Sequence, residues 1–428
     1  MIITLIFIGS LLLAMAMGIP IAFSLLVSGV ALMFHMDMFD TQIIASNLMD
    51  GADNFPLMAI PFFILAGELM NVGGISKRII AFALTLVGHI KGGLGYVAII
   101  TSVIFAGLSG SAVADTAALT AILIPMMVAA GYDRARSAAL IASSGILAPV
   151  IPPSIPMIVF GVTANVSITG LFMSGIVPGF LLAIFLAATW AWMVRKHKFA
   201  VQPRSSMKEV VRTAKDAIWA FGLPFIIIFG LRFGVFTPTE AAAVAVFYAL
   251  FVGIVVYREI KLSQLEAVFV AAGKTTSVIM FLAAAAMLSS WMITVANIPT
   301  LITGMLQPFM ENKILLMFMI NILVLVVGTA MDVMPTILIL TPVLMPVVLK
   351  AGIDPVYFGF MFCFNNCIGL LTPPVGTVLN VAAGVGRVSM DNIIRAVMPF
   401  MWVQIALLLL LTLFPEIVLV PLKYFMAK

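Results

Sequence analysis

One stretch of the chain occurs twice, and this duplication constrains the fold more than any other feature. The segment from Gly107 to Pro178 aligns without a gap on Gly328 to Pro399, 221 positions later. Identity between the copies is low, and the shared residues are mostly Gly, Pro and turn residues, which fix the shape of the backbone. The duplication therefore predicts that both copies build the same irregular structure.

The composition indicates a membrane environment. Of 428 residues, 63% are hydrophobic and 9% are charged, and the mean hydropathy is +1.24. Apolar runs of about 15 to 20 residues recur along the whole chain, which is typical of membrane helices. We predict an all-α polytopic membrane protein. The net charge of +5 is attributed to cytoplasmic loops rather than to nucleic-acid binding.

The N-terminal region contains three predicted spans. Met1 to Met17 is read as a retained span and not a signal peptide, and Pro20 to His35 follows it. The next loop is expected outside, because its charged residues are all acidic: Asp37, Asp40, Asp50 and Asp53. After the span Pro56 to Met70, basic residues flank a stretch from Lys77 to Lys91. We interpret it as an interfacial amphipathic helix, with a short ordinary span as the alternative.

A re-entrant hairpin is predicted next. An apolar helix from Leu94 to Phe105 leads into a Gly/Ser tip at Gly107 to Ser111, and a second helix runs from Ala112 toward Gly131. Non-helical backbone at membrane depth is tolerated only where it is buried or lines a cavity. A helix pair kinked by glycine, with a buried turn, is the alternative.

A broken helix follows the hairpin. Arg134 and Arg136 mark a cytoplasmic loop, and a predicted helix then runs from Ser137 to Leu147 into the membrane. Four prolines between Pro149 and Pro156 then interrupt it, because proline lacks the amide donor that a helix needs. We predict a helix broken at mid-membrane, with a functionless proline kink as the alternative.

The second half repeats this plan after a basic cytoplasmic connector. The connector carries seven basic residues, Arg195, Lys196, Lys198, Arg204, Lys208, Arg212 and Lys215. Three predicted spans follow it: Ile218 to Phe233, Thr239 to Tyr257 and Thr275 to Val295. The second hairpin has the arms Ile314 to Gly328 and Val333 to Leu349, with its tip at Thr329 to Asp332. Gly369 to Pro374 is the second break, and a last span ends near Leu413 before a short tail.

The two repeats are predicted to have inverted topology. The counterpart of the loop with Arg134 and Arg136 carries Asp354 and no basic residue, and each half makes an odd number of crossings. The C-terminal Lys428 is therefore expected in the periplasm. We divide the chain into scaffold spans and an interfacial helix (1–93), a transport region (94–194), a connector (195–216), further scaffold spans (217–312) and a second transport region (313–428).

The tips and breaks carry the candidate site residues. Helix ends leave backbone carbonyls unpaired, and sodium is bound by such oxygens together with hydroxyls and carboxylates. Asp115 and Asp332 are carboxylates at membrane depth, which are usually functional, although structural capping of the tips is an alternative. Helix N-termini after the breaks, near Ser154 and Thr377, favour an anion. An organic acid carried with Na⁺ is the predicted cargo.

The predicted ligands fall into two sets. The candidate Na⁺ ligands, some of them backbone carbonyls, are Ser109, Ser111, Pro152, Gly328, Thr329, Asp332, Gly369 and Thr372. The candidate substrate-binding residues are Ser111, Asp115, Ser154, Gly376 and Thr377.

Cys363 and Cys367 are interpreted as buried apolar side chains, and His35, His89 and His197 have no metal-ligand spacing. Glu240 is predicted to cap a helix, with docking of a partner as the alternative.

Three motifs resemble a known family. They are Ser-Gly-Ser-Ala-x-Ala-Asp-Thr at 109–116, Met-Asp at 331–332 and Gly-Leu-Leu-Thr-Pro-Pro-Val-Gly at 369–376. They are similar to the large membrane subunit of tripartite ATP-independent periplasmic (TRAP) transporters, and among these to the sialic-acid type. The resemblance implies a sodium-driven elevator transporter in the bacterial inner membrane. It also implies a small four-span membrane subunit, expected as a separate chain, and a periplasmic substrate-binding protein.

Other functions stay open at this point. A stand-alone sodium–dicarboxylate symporter would share the geometry but would need no binding protein. An integral membrane enzyme would require a metal-ligand cluster or grouped acid and base residues, which the sequence does not show. A channel is disfavoured, because two inverted half-sites indicate alternating access. Membrane lipid is an expected partner in each case.

Overall fold

The structure is a computed structural model that describes residues 2–196, 199, 203–373 and 375–427. Within these ranges all regular secondary structure is helical, as the sequence predicts. Interpretations that involve His197, Lys198, Pro374 and Lys428 lie outside the described residues.

The first half of the chain forms ten α-helices within the described ranges. They are α1 (Ile2–Ala16), α2 (Ile21–His35), α3 (Thr41–Ala52), α4 (Ala59–Val72), α5 (Ile75–Val87), α6 (Gly93–Ser109), α7 (Ala112–Ala129), α8 (Arg134–Gly145), α9 (Ile155–Ala164) and α10 (Ile168–Val194). A 3₁₀ turn, Phe55–Met58, leads directly into α4. This turn extends the helix to a length that can cross a membrane.

The described residues of the second half form ten more α-helices. They are α11 (Met207–Arg232), α12 (Pro238–Phe251), α13 (Leu262–Val295), α14 (Ile298–Leu306), α15 (Lys313–Ala330), α16 (Val333–Lys350), α17 (Pro355–Gly369), α18 (Thr377–Gly386), α19 (Met390–Leu413) and α20 (Glu416–Met426). A π-helical turn, Val252–Val256, extends α12, and a 3₁₀ turn, Gln307–Phe309, follows α14.

Nine helical segments of the described chain are long and apolar enough to cross a membrane. They are Phe55–Val72, Ala112–Ala129, Ile168–Val194, Met207–Arg232, Pro238–Val256, Leu262–Val295, Lys313–Ala330, Val333–Lys350 and Met390–Leu413. Shorter apolar helices, among them α1, α2, α6, α9 and α18, pack beside them. The protein is therefore an all-α polytopic membrane protein.

The two repeats match in the elements of the duplicated segment. The second hairpin arm, α7 or α16, begins and ends at positions exactly 221 residues apart in the two copies. The helices that lead into the breaks, α8 and α17, also begin 221 residues apart, each capped by an aspartate side chain, Asp133 or Asp354. Each repeat thus contains a re-entrant hairpin and a broken helix. An odd number of crossings per repeat, as the sequence predicts, inverts the second copy relative to the first.

The broken helices occupy the core. Every residue from Ser137 to Gly145 on α8 and from Tyr357 to Gly369 on α17 is buried. In contrast, α10 exposes large apolar side chains on one face, including Phe180, Ile184 and Trp192. Such exposed apolar faces are those of helices that contact lipid. The helices that carry the repeated breaks therefore lie inside the bundle, and long spans surround them.

Several segments expected to be irregular are helical. The acidic loop after α2 contains α3, whose N-terminus is capped by Asp40, which accepts a 2.7 Å hydrogen bond from the Gln42 amide. This helix packs tightly on α13, because a Cβ added at Gly51 would lie 2.8 Å from the Ala284 Cα atom. The tail after Leu413 similarly contains α20, which packs against α10. Both short helices are amphipathic, but they are shorter than the apolar runs on which the prediction relied.

Two helix boundaries also differ from the prediction. The helix α11 begins after Ser206, whose hydroxyl caps it, and runs without interruption past residue 216, where the sequence separated a connector from the following span. The helix α13 has 34 residues and begins at Leu262 rather than near Thr275. Amphipathic first turns extend both spans beyond the apolar core on which the prediction relied.

One ion pair fixes the end of the predicted interfacial helix α5. The Arg78 guanidinium contacts the Glu259 carboxylate at 2.6 Å and lies 3.8 Å above the centre of the Tyr257 ring. Burial raises the pKa of the Tyr257 hydroxyl to about 12, although the charge of Arg78 lowers it. At Gly74, where φ is +72°, an added Cβ would lie 1.8 Å from a Glu259 oxygen. These contacts hold α5 against the end of α12.

Candidate functional site

The tip of the first hairpin is a two-residue connection. The helix α6 continues to Ser109, beyond the predicted start of the tip, and α7 begins after Gly110 and Ser111. The Ser109 hydroxyl donates to the Asp115 carboxylate at 2.5 Å and accepts from the Ser111 amide at 3.1 Å. The Ser111 hydroxyl accepts from the Ala114 amide at 3.4 Å and so caps α7. Asp115 is only 3% exposed and holds Ser109 in place.

The second tip has the same form. The helix α15 continues to Ala330, so that Thr329 lies in its last turn, where its hydroxyl donates to the Val326 carbonyl at 2.8 Å. Asp332 caps α16 by accepting a 2.9 Å hydrogen bond from the Val333 amide. Asp332 occupies the position of Ser111 in the other repeat. The two capping side chains are therefore equivalent in place and different in charge.

The two breaks are stabilised locally. In the first, the Ser154 hydroxyl donates to the Pro149 carbonyl at 2.6 Å and accepts from the Met157 amide at 3.3 Å, which caps α9. In the second, the Thr372 hydroxyl donates to the Ile368 carbonyl at 2.9 Å. The N-terminus of α18 begins after Gly376, which has a left-handed conformation with φ of +39°.

Each tip packs against the break of its own repeat. A Cβ added at Gly110, where φ is +62°, would lie 2.7 Å from the Pro153 carbonyl oxygen. In the second repeat, a Cβ at Gly369 would lie 2.7 Å from the Gly328 carbonyl oxygen. The Val375 amide also donates to the Thr329 carbonyl at 3.3 Å. Each hairpin and broken helix therefore meet backbone to backbone.

One cavity of about 470 Å³ touches both tips and both breaks. Its lining from the two repeats comprises Ser109 to Ala114, Pro149, Ile155, Pro156, Asp332 to Met334 and Leu370. The rest of the lining comes from α4 and α13, which contribute Ile64, Gly67, Glu68, Asn71, Thr275, Val278 and Ile279. The cavity thus lies where the inverted repeats meet, which is where transporters bind their cargo.

Some of the predicted site residues line this cavity, and others do not. Ser109, Ser111 and Asp332 line it. Asp115 lies in a layer behind, beside Ser109. The remaining predicted residues are near the breaks and tips but not in the lining: Pro152, Ser154, Gly328, Thr329, Gly369, Thr372, Gly376 and Thr377.

The positive ends of two helices reach the cavity. The first turn of α7 contributes Ala112, Val113 and Ala114 to its lining, and the first turn of α16 contributes Val333 and Met334. Free amide groups and the helix dipole at such ends favour a negative charge. The sequence places this role after the breaks, but Gly376 and Thr377, at the start of α18, do not line the cavity. The helix N-termini that line the cavity are those at the tips, at the start of α7 and of α16.

Buried oxygen atoms without a hydrogen-bond partner lie around both tips. In the described residues they include Asp115 Oδ2 and Thr116 Oγ1 near the first tip, and Asn366 Oδ1 near the second. Asn366 Oδ1 lies 3.5 Å from the position that a Cβ on Gly328 would take. A buried polar atom is costly unless paired, and a hard cation such as Na⁺ satisfies oxygen atoms of this kind. The residues present therefore fit the ion.

Glu68 and Asn71 on α4, together with Asn366 on α17, are absent from the predicted site. A signal for Glu68 was present, since an ionisable residue within an apolar span indicates a functional position. No comparable signal marked the two asparagines.

Elsewhere, no group of three His, Cys, Asp or Glu side chains lies together in the ranges that the structure describes, and Cys363 and Cys367 are buried and unpaired.

A solved structure shares this fold. The transporter YdaH of Alcanivorax borkumensis aligns with a TM-score of 0.64 over 89% of this chain and 90% of that chain. The sequence identity is 14%, so the likeness concerns the fold alone.

Sequence comparison adds the family. A family model described as "Tripartite ATP-independent periplasmic transporter, DctM component" matches residues 8–417. The 2,3-diketo-L-gulonate TRAP transporter large permease protein YiaN of Escherichia coli is 53% identical over 98% of this chain and 99% of the relative. The sialic acid TRAP transporter large permease protein SiaM of Vibrio cholerae is 37% identical over 94% of each chain. The relatives are transport permeases and not enzymes, and the chain belongs to the TRAP transporter family as its large permease component.

Proposed function

We propose that this chain carries out sodium-driven secondary active uptake of an organic acid anion across the bacterial inner membrane. The observation that carries the proposal is one cavity that is lined by both hairpin tips and both breaks. Membership of the TRAP family supports transport, and the names of two relatives, for 2,3-diketo-L-gulonate and for sialic acid, support an organic acid.

Sodium binding is assigned to the two tip and break pairs. The first ion would be held by Ser109, Ser111 and the Pro152 carbonyl. The second would be held by the remaining candidate ligands, Gly328, Thr329, Asp332, Gly369 and Thr372. The unpaired oxygens of Asp115 and Asn366 support this assignment, because each lies beside one tip and lacks a hydrogen-bond partner within the described chain. We add Asn366 to the second set.

The substrate carboxylate is assigned to the space between the tips. There the amide groups that begin α7 and α16, together with the Ser111 hydroxyl, provide hydrogen-bond donors and positive dipole ends. Asp115 positions Ser109, and Ser154 holds the first break in shape by its bonds to Pro149 and Met157. Gly376 and Thr377 would act from behind the second break rather than by direct contact.

Movement is proposed to follow an elevator mechanism. The regions 94–194 and 313–428 would move as a transport unit against scaffold regions 1–93 and 217–312, with 195–216 as connector. The cavity supports this division, because tips and breaks form one side of it and the scaffold helices α4 and α13 form the other. Backbone packing of each tip on its own break supports common movement of the two elements.

The partners follow from the family. A tripartite system requires a small membrane subunit, which we propose as a separate four-span chain, and a periplasmic binding protein that delivers the substrate. Membrane lipid would contact exposed apolar faces such as that of α10. Among organic acids, sialic acid stays a candidate, and the 53% identity to a 2,3-diketo-L-gulonate permease adds this keto sugar acid as another.

Reconstitution tests the proposal. The chain, its small subunit and its binding protein are placed in proteoliposomes, and uptake of labelled organic acids is followed with and without an inward sodium gradient. We expect accumulation only with sodium and binding protein together. Accumulation without the binding protein would favour a stand-alone sodium–dicarboxylate symporter, and uptake that is independent of sodium would overturn the proposed energy source.

A further inference from the structure

The scaffold side of the central cavity carries two polar side chains that the transport mechanism above does not use. Glu68 and Asn71 are three residues apart on α4, and both line the cavity. Residues at this spacing lie on one helix face, with about 5–6 Å between their Cβ atoms. They line the cavity from the scaffold helix α4, next to the tips where the substrate carboxylate is assigned.

The backbone of α4 brings these two side chains close to the first tip. A Cβ added at the neighbouring Gly67 would lie 3.5 Å from the Ser109 Cα atom, so the two backbones are in near contact. A substrate held at the tips would therefore reach α4. An added Cβ at this position would make an ordinary van der Waals contact with Ser109, so α4 packs directly beside the first tip.

Glu68 and Asn71 offer complementary hydrogen-bonding groups. In the described part of the chain, the Glu68 carboxylate forms no hydrogen bond or ion pair, so its oxygens are acceptors that lack a donor. The Oδ1 atom of Asn71 accepts from the Ser76 hydroxyl at 3.3 Å, which leaves the Nδ2 amino group as a donor. A hydroxyl group both donates and accepts, and it can satisfy either side chain.

The charge of the cavity limits how many carboxylates a substrate can carry. The charged side chains in the described lining are Glu68 and Asp332, both acidic, and no Lys, Arg or His is among them. The two helix ends and the bound sodium ions can balance one carboxylate at the tips. A second carboxylate directed toward α4 would meet Glu68, and like charges at close range repel.

We infer that Glu68 and Asn71 select a polyhydroxylated monocarboxylate, with hydroxyl groups bound on α4 and the carboxylate at the tips, and that they exclude dicarboxylates. The inference rests on the proposed transport of an organic acid. The apolar neighbours Val278 and Ile279 on α13 would contact the carbon skeleton between these two ends.

Ligand binding to the permease, purified with its small subunit and without the binding protein, tests this selection. Thermal stabilisation in sodium is titrated with gluconate, a hydroxylated monocarboxylate, and with succinate, a dicarboxylate. We expect the wild type to bind gluconate more tightly than succinate. Glu68→Ala and Asn71→Ala each weaken gluconate binding about tenfold, which corresponds to the loss of one good hydrogen bond. Glu68→Gln keeps much of the gluconate affinity and gains affinity for succinate, because the repelling charge is removed.

The control variant is Glu266→Ala, which removes an exposed carboxylate of α13 outside the cavity and is expected to bind like the wild type. Equal or tighter binding of succinate by the wild type overturns the inference, as does unchanged gluconate affinity in both alanine variants. Either result leaves the sodium-driven uptake assay unaffected. Failure of that uptake assay, in contrast, overturns the proposed function itself.

Discussion

Ser111 and Asp332 hold the same position in the two repeats, as caps of the second hairpin arm. Each accepts a hydrogen bond from an amide of the helix that follows, at 3.4 Å for Ser111 and 2.9 Å for Asp332. A capping side chain satisfies a backbone donor, and both residues also line the central cavity. A residue with both roles affects stability and binding, so a test must separate the two.

We expect Ser111→Ala and Asp332→Ala each to reduce sodium-dependent uptake at least about tenfold, because each removes an oxygen proposed to contact an ion or the substrate. The effect of Asp332→Ala is expected to be the larger, since it removes a charge. The measurement is initial uptake in proteoliposomes over a range of sodium concentrations.

Asp354→Ala is the control for the loss of a cap. Asp354 caps α17 by accepting from the Val356 and Tyr357 amides, both at 2.9 Å, and it lies away from the cavity. Its removal should cost about 0.5–2 kcal/mol of stability without changing the sodium dependence. Wild-type sodium dependence in both cavity variants would refute the assignment of these residues.

Glu240 forms a complete capping box with Thr237 at the start of α12. The Thr237 amide donates to Glu240 Oε2 at 2.8 Å, and the Glu240 amide donates to the Thr237 hydroxyl at 3.3 Å. This geometry gives the carboxylate a structural role. Docking of the binding protein through its charge stays a prediction of the alternative interpretation.

Glu240→Gln separates these roles, because glutamine keeps the hydrogen bond to Thr237 and loses the charge. We expect Tm to fall slightly and uptake at limiting binding protein to stay unchanged, as capping alone requires. The measurement combines a thermal melt with uptake at a binding-protein concentration below saturation. A clear loss of uptake at unchanged Tm would establish docking instead.

At the scale of elements, glycine allows each hairpin to pack on a broken helix. At Gly369, the end of α17, an added Cβ would lie 2.7–2.9 Å from the O, C and Cα atoms of Gly328. Because these atoms belong to the backbone of Gly328, no side-chain rotation could relieve the overlap. Contact between the two elements in the second repeat therefore depends on this glycine.

We expect Gly369→Ala to destabilise the permease by about 1–3 kcal/mol, the usual range for overpacking, and to abolish most uptake. The matched control is Gly384→Ala within α18, where an added Cβ would meet nothing within 4 Å. Alanine there should stabilise the helix by up to about 1 kcal/mol and leave uptake intact. Thermal melts and uptake of the two variants, measured side by side, decide between a packing effect and a general sensitivity to lost glycine.

At the scale of the molecule, inversion of the repeats determines which membrane face each terminus reaches. From the sequence, each half is predicted to make an odd number of crossings, which would put the end of the second half on the face opposite to the basic segment that joins the halves. The basic residues of that segment, from Arg195 to Lys215, indicate the cytoplasmic face. The chain end after α20 is therefore predicted to be periplasmic.

A reporter fused to the C-terminus tests this topology. We expect alkaline phosphatase, which is active only in the periplasm, to be active when fused after residue 428. A green fluorescent protein fusion at the same place should be dark after export. The opposite pair of results would mean that the repeats are not inverted. A fusion within the basic segment, expected to be cytoplasmic, calibrates both reporters.

The sequence by itself determined the membrane class, the family, the duplication and the positions of tips and breaks. These properties are local: apolar runs, Gly and Pro interruptions and capping residues act within a few neighbouring residues. For that reason the second hairpin arms begin at the residues expected, Ala112 and Val333. The helices α3 and α20 were not predicted because, although amphipathic, they are shorter than the apolar runs used to locate spans.

Only the tertiary structure decided which side chains meet in the cavity. Glu68 and Asn71 face the tips because α4 packs beside Ser109, a contact between segments far apart in the chain. Ser154 and Thr377, which were predicted from the sequence to bind the substrate, lie near the breaks but do not line the cavity. The direction of a side chain depends on how its helix is rotated against its neighbours, and no pattern within a single segment encodes that rotation.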